Sequence, residues 1–410
     1  MNSGIAENTK NPAIDRWRWP MLAVMFLANA LPEFLWSNLP PVMSEVLTRY
    51  QVGATEAGLT MLGFSVGTVA AMRWAGTIID KAGYRIAVLI GLGICTVFAA
   101  LRIVDGPFWL LVAAQVGIGA ALPFTTATTS SFVVDWFEPR LESRITGVCM
   151  VGLFTGLGVS MIVSPILWRH FGFSGLMRAT ALISAATFVV SVPIARQRTD
   201  PKRIAGGRRD RAGVRWVLRN RTLTILLATS LLAQGVFAGL AGGLELIWHG
   251  RGFSPEDAGL ANGLFILGGT IGSLALPAIQ DRYGNGRLLL ILCFTSAVVF
   301  TYPLFAATTL AWGATAALAL GICWLGNAPV SLTLLERSVG PRYAGVASSY
   351  YWGIGNFGVI ALVPVFNSLL EFRNWYWAVL AMILLMGLCM GVTFALPTDG
   401  EATHTATADP

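Results

Sequence analysis

The sequence is poor in charge and almost devoid of histidine and lysine. Only 12% of its 410 residues are Asp, Glu, Lys or Arg, against about 25% in an average soluble domain. That is too little polar surface to coat two or three water-soluble domains, so the bilayer is the expected solvent. The three histidines, His170, His249 and His404, are scattered over two short loops and a tail, which leaves no zinc or triad constellation. The five cysteines, Cys95, Cys149, Cys293, Cys323 and Cys389, all lie inside apolar runs without C-x-x-C spacing and read as small core hydrophobes. No metal site, no cofactor and no enzyme active site are expected. Lysine numbers three against 25 arginines, a bias that fits a GC-rich bacterial genome.

Apolar length is what the chain has in excess, at 55% hydrophobic residues. A helix needs about 20 apolar residues to cross a bilayer core. Breaking the apolar runs at charge and Gly/Pro clusters gives twelve spans, near 19–45, 55–75, 84–104, 107–132, 145–168, 174–194, 222–247, 257–278, 287–306, 309–334, 344–368 and 374–396. The first is too long and proline-studded for a cleavable leader and is expected to be retained. A polar, arginine-rich stretch at 196–221 divides the spans six and six. The expected organisation is a tail (1–18), a six-helix bundle (19–195), a basic linker (196–221), a second six-helix bundle (222–397) and a tail (398–410). The fold class is an all-α polytopic membrane protein.

Arginine and lysine set the orientation, because cytoplasmic loops retain them. With both termini cytoplasmic, 22 of the 28 basic residues fall inside, leaving Arg49, Arg102, Arg169, Arg178, Arg251 and Arg373 outside. The same distribution makes the net charge of +7 a membrane anchor rather than a nucleic-acid surface. The expected setting is the inner (plasma) membrane, with lipid and a small-molecule solute as partners and the monomer as the working unit.

The two halves repeat. A shift of 201 residues aligns Ala57-Gly58-Leu59 with Ala258-Gly259-Leu260, Gly67 with Gly268, Asp80 with Asp281 and Gly83 with Gly284. Between spans 2 and 3 the chain reads Gly76-x-x-x-Asp80-x-x-Gly83-x-Arg85, and between spans 8 and 9 a degenerate copy reads Asp281-Arg282-Tyr283-Gly284. Glycines permit the tight turn at the membrane surface, and the carboxylate can pair with Arg or cap a helix end. Together, repeat and loop resemble the major facilitator superfamily (MFS). The resemblance covers residues 17 to 397 and implies a secondary transporter of two pseudo-symmetric bundles, with the solute held between them near the midplane.

In that superfamily spans 1, 4, 7 and 10 line the central cavity, which directs attention to Glu33 and Trp36 in span 1, Gln115 in span 4, Gln234 in span 7, and Trp324 and Asn327 in span 10. A mid-helix carboxylate is costly and is expected to face the cavity; the repeat shift places Gln234 opposite it. Hydroxyls at Thr125, Thr126, Thr128 and Thr129 are expected mostly to satisfy their own helix backbone, while Pro329 is expected to loosen span 10. Span 11 adds Tyr351 and Asn356. Trp36 one turn from Glu33 gives an aromatic face beside a carboxylate, the composition that holds an organic cation. Glu33 is also the candidate for proton coupling. Glu245 with Arg251, and Asp135 with Arg144, are candidate gates at the two ends.

Span 5 carries Gly147, Gly152, Gly156 and Gly158 but has Leu157 where the drug-exporter signature has proline, so transport direction stays open. The Arg102 end of span 3, the G-I-G of span 4 and the D-W-F-E-P run at 135–139 resemble both the cyanate and nitroimidazole porters and the feline leukaemia virus receptor-related group associated with choline and haem. The expected function is alternating-access transport of a small organic solute, cationic or zwitterionic. The alternatives are an organic-anion or drug exporter using Arg102 or Arg178, and a membrane receptor or sensor that moves nothing.

Overall fold

The computed structural model describes residues 12–138, 141–198, 220–339, 344–372 and 374–397, without the side chains of 12–16, 80, 142–144, 281, 344–346, 349 and 372. Every regular element among them is helical. A helix satisfies its own backbone N–H and C=O groups, which lipid cannot do. Eleven helices are long and apolar enough to cross a bilayer. One of them, Ile145–Ile194, runs for 50 residues, far more than one crossing needs. It breaks at Gly172, where φ is 67° and the helical path is lost, so spans 5 and 6 meet there and twelve crossings result.

The helices of each half pack mainly on one another, spans 1, 2, 3 and 5 around span 4 and its neighbours in the first, spans 7 to 12 in the second. Large side chains such as Phe171, Leu182, Val189, Leu274 and Leu384 point outward and are mostly exposed, as a lipid-facing surface requires. All described cysteines are free, four of them buried.

The duplication is legible as repeated contacts. Span 4 closes on span 2 at Gly119, where a Cβ would run into the Phe64 carbonyl; span 10 closes on span 8 at Gly321, against the Phe265 carbonyl. Gly156 of span 5 lies against the Ala30 carbonyl of span 1, and Gly358 of span 11 against the Leu231 carbonyl of span 7. Without a hydrophobic driving force between helices in lipid, such close backbone approach is what holds them. Gly152 and Gly156 of span 5 therefore serve packing onto span 1, against Phe26 and Ala30 in the turns before Glu33, while Gly158 meets Ile266 of span 8.

Three spans depart from their expected course. Span 1 is helical over Pro12–Trp36 and then gives way to a 3-10 turn, Pro40–Val42, and a short helix, Met43–Tyr50. The Pro40-Pro41 pair supplies no N–H groups to continue the helix. Span 4 divides into Phe108–Thr126 and Thr128–Trp136, and span 10 into Leu310–Trp324 and Asn327–Val339. Pro329 does not loosen span 10 from within: it sits in the first turn of the second segment, where its missing N–H costs nothing, and the break precedes it.

Candidate functional site

Span 1 brings Asn29, Glu33 and Trp36 onto one face, at i, i+4 and i+7. Pro32 removes the N–H that would have bonded the Ala28 carbonyl, loosening the helix beside Glu33. Glu33 is 7% exposed. Its backbone carbonyl accepts from Ser37 N–H and Oγ–H, at 2.9 and 2.6 Å, but no described residue hydrogen-bonds or ion-pairs with its carboxyl group. Asn29 donates to Thr129 of span 4 at 3.2 Å, so this hydroxyl joins two cavity helices. Thr125, Thr126 and Thr128 donate to backbone carbonyls of their own helix, as expected.

Gln115 is 0% exposed, and neither its Oε1 nor its Nε2 has a partner. The Trp36 Nε1–H is likewise buried and unpartnered. Gln234 is half-buried, its stem packed against Gly355 of span 11. Glu33, Gln115 and Trp36 are thus buried with polar groups that find no partner among the described residues, and Gln234 is half-buried. The others are engaged locally. Asn327 donates to the Trp324 carbonyl across the break in span 10. Trp324 packs edge-on to Phe294 of span 9 at 5.7 Å. Tyr351 is buried beside Trp352, with its carbonyl accepting from Ser230 at 2.7 Å. Asn356 donates to the Trp352 carbonyl at 3.0 Å.

The loop glycines do what the turns require. Gly83 has φ 87° and Gly284 φ 68°, and each N–H closes the preceding helix on the carbonyl four residues back, at 3.0 and 2.8 Å. Gly76 is half-buried in span 2, Arg85 is exposed and Arg282 lies over the Tyr283 ring at 5.6 Å. The Asp80 and Asp281 side chains lie outside the described residues.

The expected gates need correction. Glu245 does not pair with Arg251. It is fully buried and accepts from Ser44 N–H at 3.0 Å and Ser44 Oγ–H at 2.6 Å, across the two halves. Arg251 donates to the Phe305 and Ala306 carbonyls at 2.8 and 3.1 Å and lies over Trp375. A guanidinium presents several donors in a fixed fork and here finds two helix-terminal carbonyls at the end of span 9. Asp135 accepts from Tyr84 Oη–H at 2.5 Å and from Arg198 N–H at 2.9 Å, tying the linker-side ends of spans 3, 4 and 6; the Arg144 side chain lies outside the described residues.

Two further cross-half links join Ser44–Glu245 at the end of the bundle remote from the linker. Thr55 N–H donates to Glu371 at 2.8 Å, and Arg169 meets Glu256 at 3.4 Å. Sequence reasoning overlooked Ser44, although Ser44 and Glu245 stand 201 positions apart, the repeat shift itself. It placed Arg102 near a span end. The structure buries it and turns it onto span 1, donating to the Leu35 carbonyl at 2.9 Å and Asn38 Oδ1 at 2.6 Å. Arg178 is exposed.

The comparisons with known proteins agree with this architecture. A Solute carrier family 49 member 4 homolog of Xenopus tropicalis is 22% identical over 408 residues, 89% of this chain and 88% of its own. A gallate transporter of Pseudomonas putida is 23% identical over 392 residues, 85% of each. A bacterial homolog of the human lysosomal transporter Spinster, solved inward-facing and unoccupied, superposes with a TM-score of 0.74 at 13% identity, over 98% of this chain and 100% of that one. Residues 23–364 match the pattern of the Major Facilitator Superfamily, and the chain belongs to that family of membrane transporters.

Proposed function

We propose that the protein is a secondary carrier of a small organic cation or zwitterion that works by alternating access, with Glu33 as the counter-ion and the proton-bearing group. One observation carries this reading: the Glu33 carboxyl is buried with no partner among the described residues, one helical turn from Trp36, which meets Phe237 of the other half. A charged side chain in mid-membrane costs about 2.5–3.5 kcal/mol on insertion scales, and a cationic solute or a proton offsets that cost. Gln115 of span 4 and the Trp36 N–H of span 1 supply buried, unpartnered donors and an acceptor, and Gln234 supplies a neutral amide from the other half. The Trp36 ring offers the cation a π face.

The positive-inside distribution supports an orientation with the linker end and both termini on the cytoplasmic side of an inner membrane. The closed Ser44–Glu245 end then faces outward. The path runs between two halves of one chain, so the monomer suffices. An organic-anion carrier is the competing reading, supported by the buried Arg102 and by the gallate transporter among the relatives. Against it, Arg102 already binds a carbonyl and an amide oxygen of span 1.

The test is thermal unfolding of the detergent-purified protein with a panel of organic cations, zwitterions and anions, wild type beside Glu33→Gln. A ligand at one hundred times its Kd stabilises the native state by about 2.7 kcal/mol. Cations or zwitterions are expected to raise the unfolding temperature of the wild type and not of the variant, and tracer uptake into proteoliposomes is expected to fail in the variant. Stabilisation of both proteins by anions alone overturns the charge assignment. Specific binding without uptake points to the receptor.

A further inference from the structure

Four aromatic rings lie in a chain immediately beyond Glu33 and Gln234. Phe64 meets Trp36 at 5.3 Å, Trp36 meets Phe237 at 6.1 Å and Phe237 stacks on Phe265 at 6.0 Å. The first two rings belong to spans 2 and 1, the last two to spans 7 and 8. The repeat shift carries Trp36 onto Phe237 and Phe64 onto Phe265, so the chain of rings is its own image under the pseudo-twofold, and the Trp36–Phe237 contact sits at the axis. All four side chains are buried. Glu33 and Trp36 are one helical turn apart, and so are Gln234 and Phe237. Each polar group thus has a ring of its own half directly above it. Beyond the rings, Met61 packs near Gly242 and Asn262 donates to the Ala241 carbonyl at 3.3 Å, and the Ser44–Glu245 link lies further out.

We propose that these rings are one wall of the solute site, in which Phe237 is the counterpart of Trp36: the solute rests on the Trp36–Phe237 seam, and the path to the far end opens at that seam. The placement of the solute rests on the function proposed above. The seam is the sole point in the ring chain where the two halves touch, since both flanking contacts lie within one half. When the halves part at the far end, that contact breaks while the Phe64–Trp36 and Phe237–Phe265 pairs travel intact. Ring size at position 237 therefore sets both the fit of a flat solute group and the tightness of closure. The Trp36 N–H, buried without an acceptor, is available to an oxygen on a solute held there.

Two measurements separate the parts. Binding of phenyltrimethylammonium and of benzoate, each compared with its non-aromatic counterpart (tetramethylammonium and acetate), is measured on the wild type, Phe237→Leu and Phe237→Tyr. The aromatic probe of whichever charge binds is expected to lose at least tenfold in affinity in Phe237→Leu, with recovery in Phe237→Tyr. The non-aromatic probe is expected to change much less. In a second assay, Gln234→Cys in proteoliposomes is labelled from the far-end side by an impermeant thiol reagent. Labelling is expected to be slow with Phe237 in place and at least tenfold faster with Phe237→Ala. If cations fail to bind but benzoate shows the ring dependence, the charge assignment falls and the wall stands. If Phe237→Leu binds every probe as the wild type does, or Phe237→Ala leaves labelling unchanged, the wall is refuted, whatever Glu33→Gln does.

Discussion

Replacing Ser44 by alanine isolates the cross-half link at the far end, because it removes one donor and leaves both backbones intact. Glu245 is fully buried and holds two bonds from Ser44, the shorter being Oγ–H to carboxylate at 2.6 Å. A hydrogen bond to a charged group contributes about 1.5–3 kcal/mol, and each 1.4 kcal/mol is roughly tenfold in an equilibrium. The bond exists only while the far end is closed; once it opens, water solvates both groups. Ser44→Ala is therefore expected to shift the balance toward the far-end-open state by about tenfold to a hundredfold. Spin labels at the exposed Thr48 and His249, one on each half beside the link, report the separation directly. The wild type should give one short distance, and Ser44→Ala and Glu245→Gln a second, longer population in pulsed dipolar spectroscopy. Unfolding temperatures near that of the wild type would show that the bundle itself is intact. Distance distributions unchanged in both variants would refute the assignment of this link as a determinant of closure.

Other outcomes follow from the same structure. Gly119→Val should lower the unfolding temperature, since the new side chain meets the Phe64 carbonyl and overpacking costs about 1–3 kcal/mol; a variant as stable as the wild type in a detergent melt would show the contact to be slack. Arg102→Lys has one point charge where Leu35 and Asn38 share a fork, and should weaken solute affinity by displacing Trp36 while leaving the protein in the membrane. An unchanged apparent KM in uptake would separate Arg102 from the site. Glu33→Gln, if it retains solute-driven uptake but loses the accompanying pH change inside proteoliposomes, would assign Glu33 to coupling alone.

The span pattern, the six-and-six repeat and the loop glycines were readable because each depends on local chemistry. Apolar length dictates a crossing, and Gly83 and Gly284 answer a backbone need visible as spacing. What lay beyond reach was pairing across the two halves. Glu245 and Arg251 are near neighbours in sequence and of opposite charge, which suggested a pair, yet the buried carboxylate is met by a serine two hundred residues away. Asn327 has the composition of a ligand, but the break in its helix claims its amide. The shift of 201, applied to Trp36 as it was to Glu33, would have named Phe237. Arg102 gave no such signal, because burial of a guanidinium at a span end depends on the loosened turn of span 1.

Where the halves meet on the pseudo-twofold, an undiverged duplication would set each residue against its own copy. Two carboxylates facing each other there would repel, and two serines would make at best a weak bond. The observed pair has diverged in the direction that this geometry demands: Ser44 against Glu245 makes a donor and an acceptor, and the repeat shift likewise sets Gln234 as the counterpart of Glu33, leaving a single negative charge. The packing positions Gly119 and Gly321, or Gly156 and Gly358, face carbonyls within their own half and have stayed identical. Trp36 and Phe237 stand between these cases, both aromatic because two rings tolerate each other across an axis, yet unequal in that only one carries an N–H. Persistence of the packing glycines beside unlike polar partners near the axis is what separate demands on helix packing, closure and solute binding would leave.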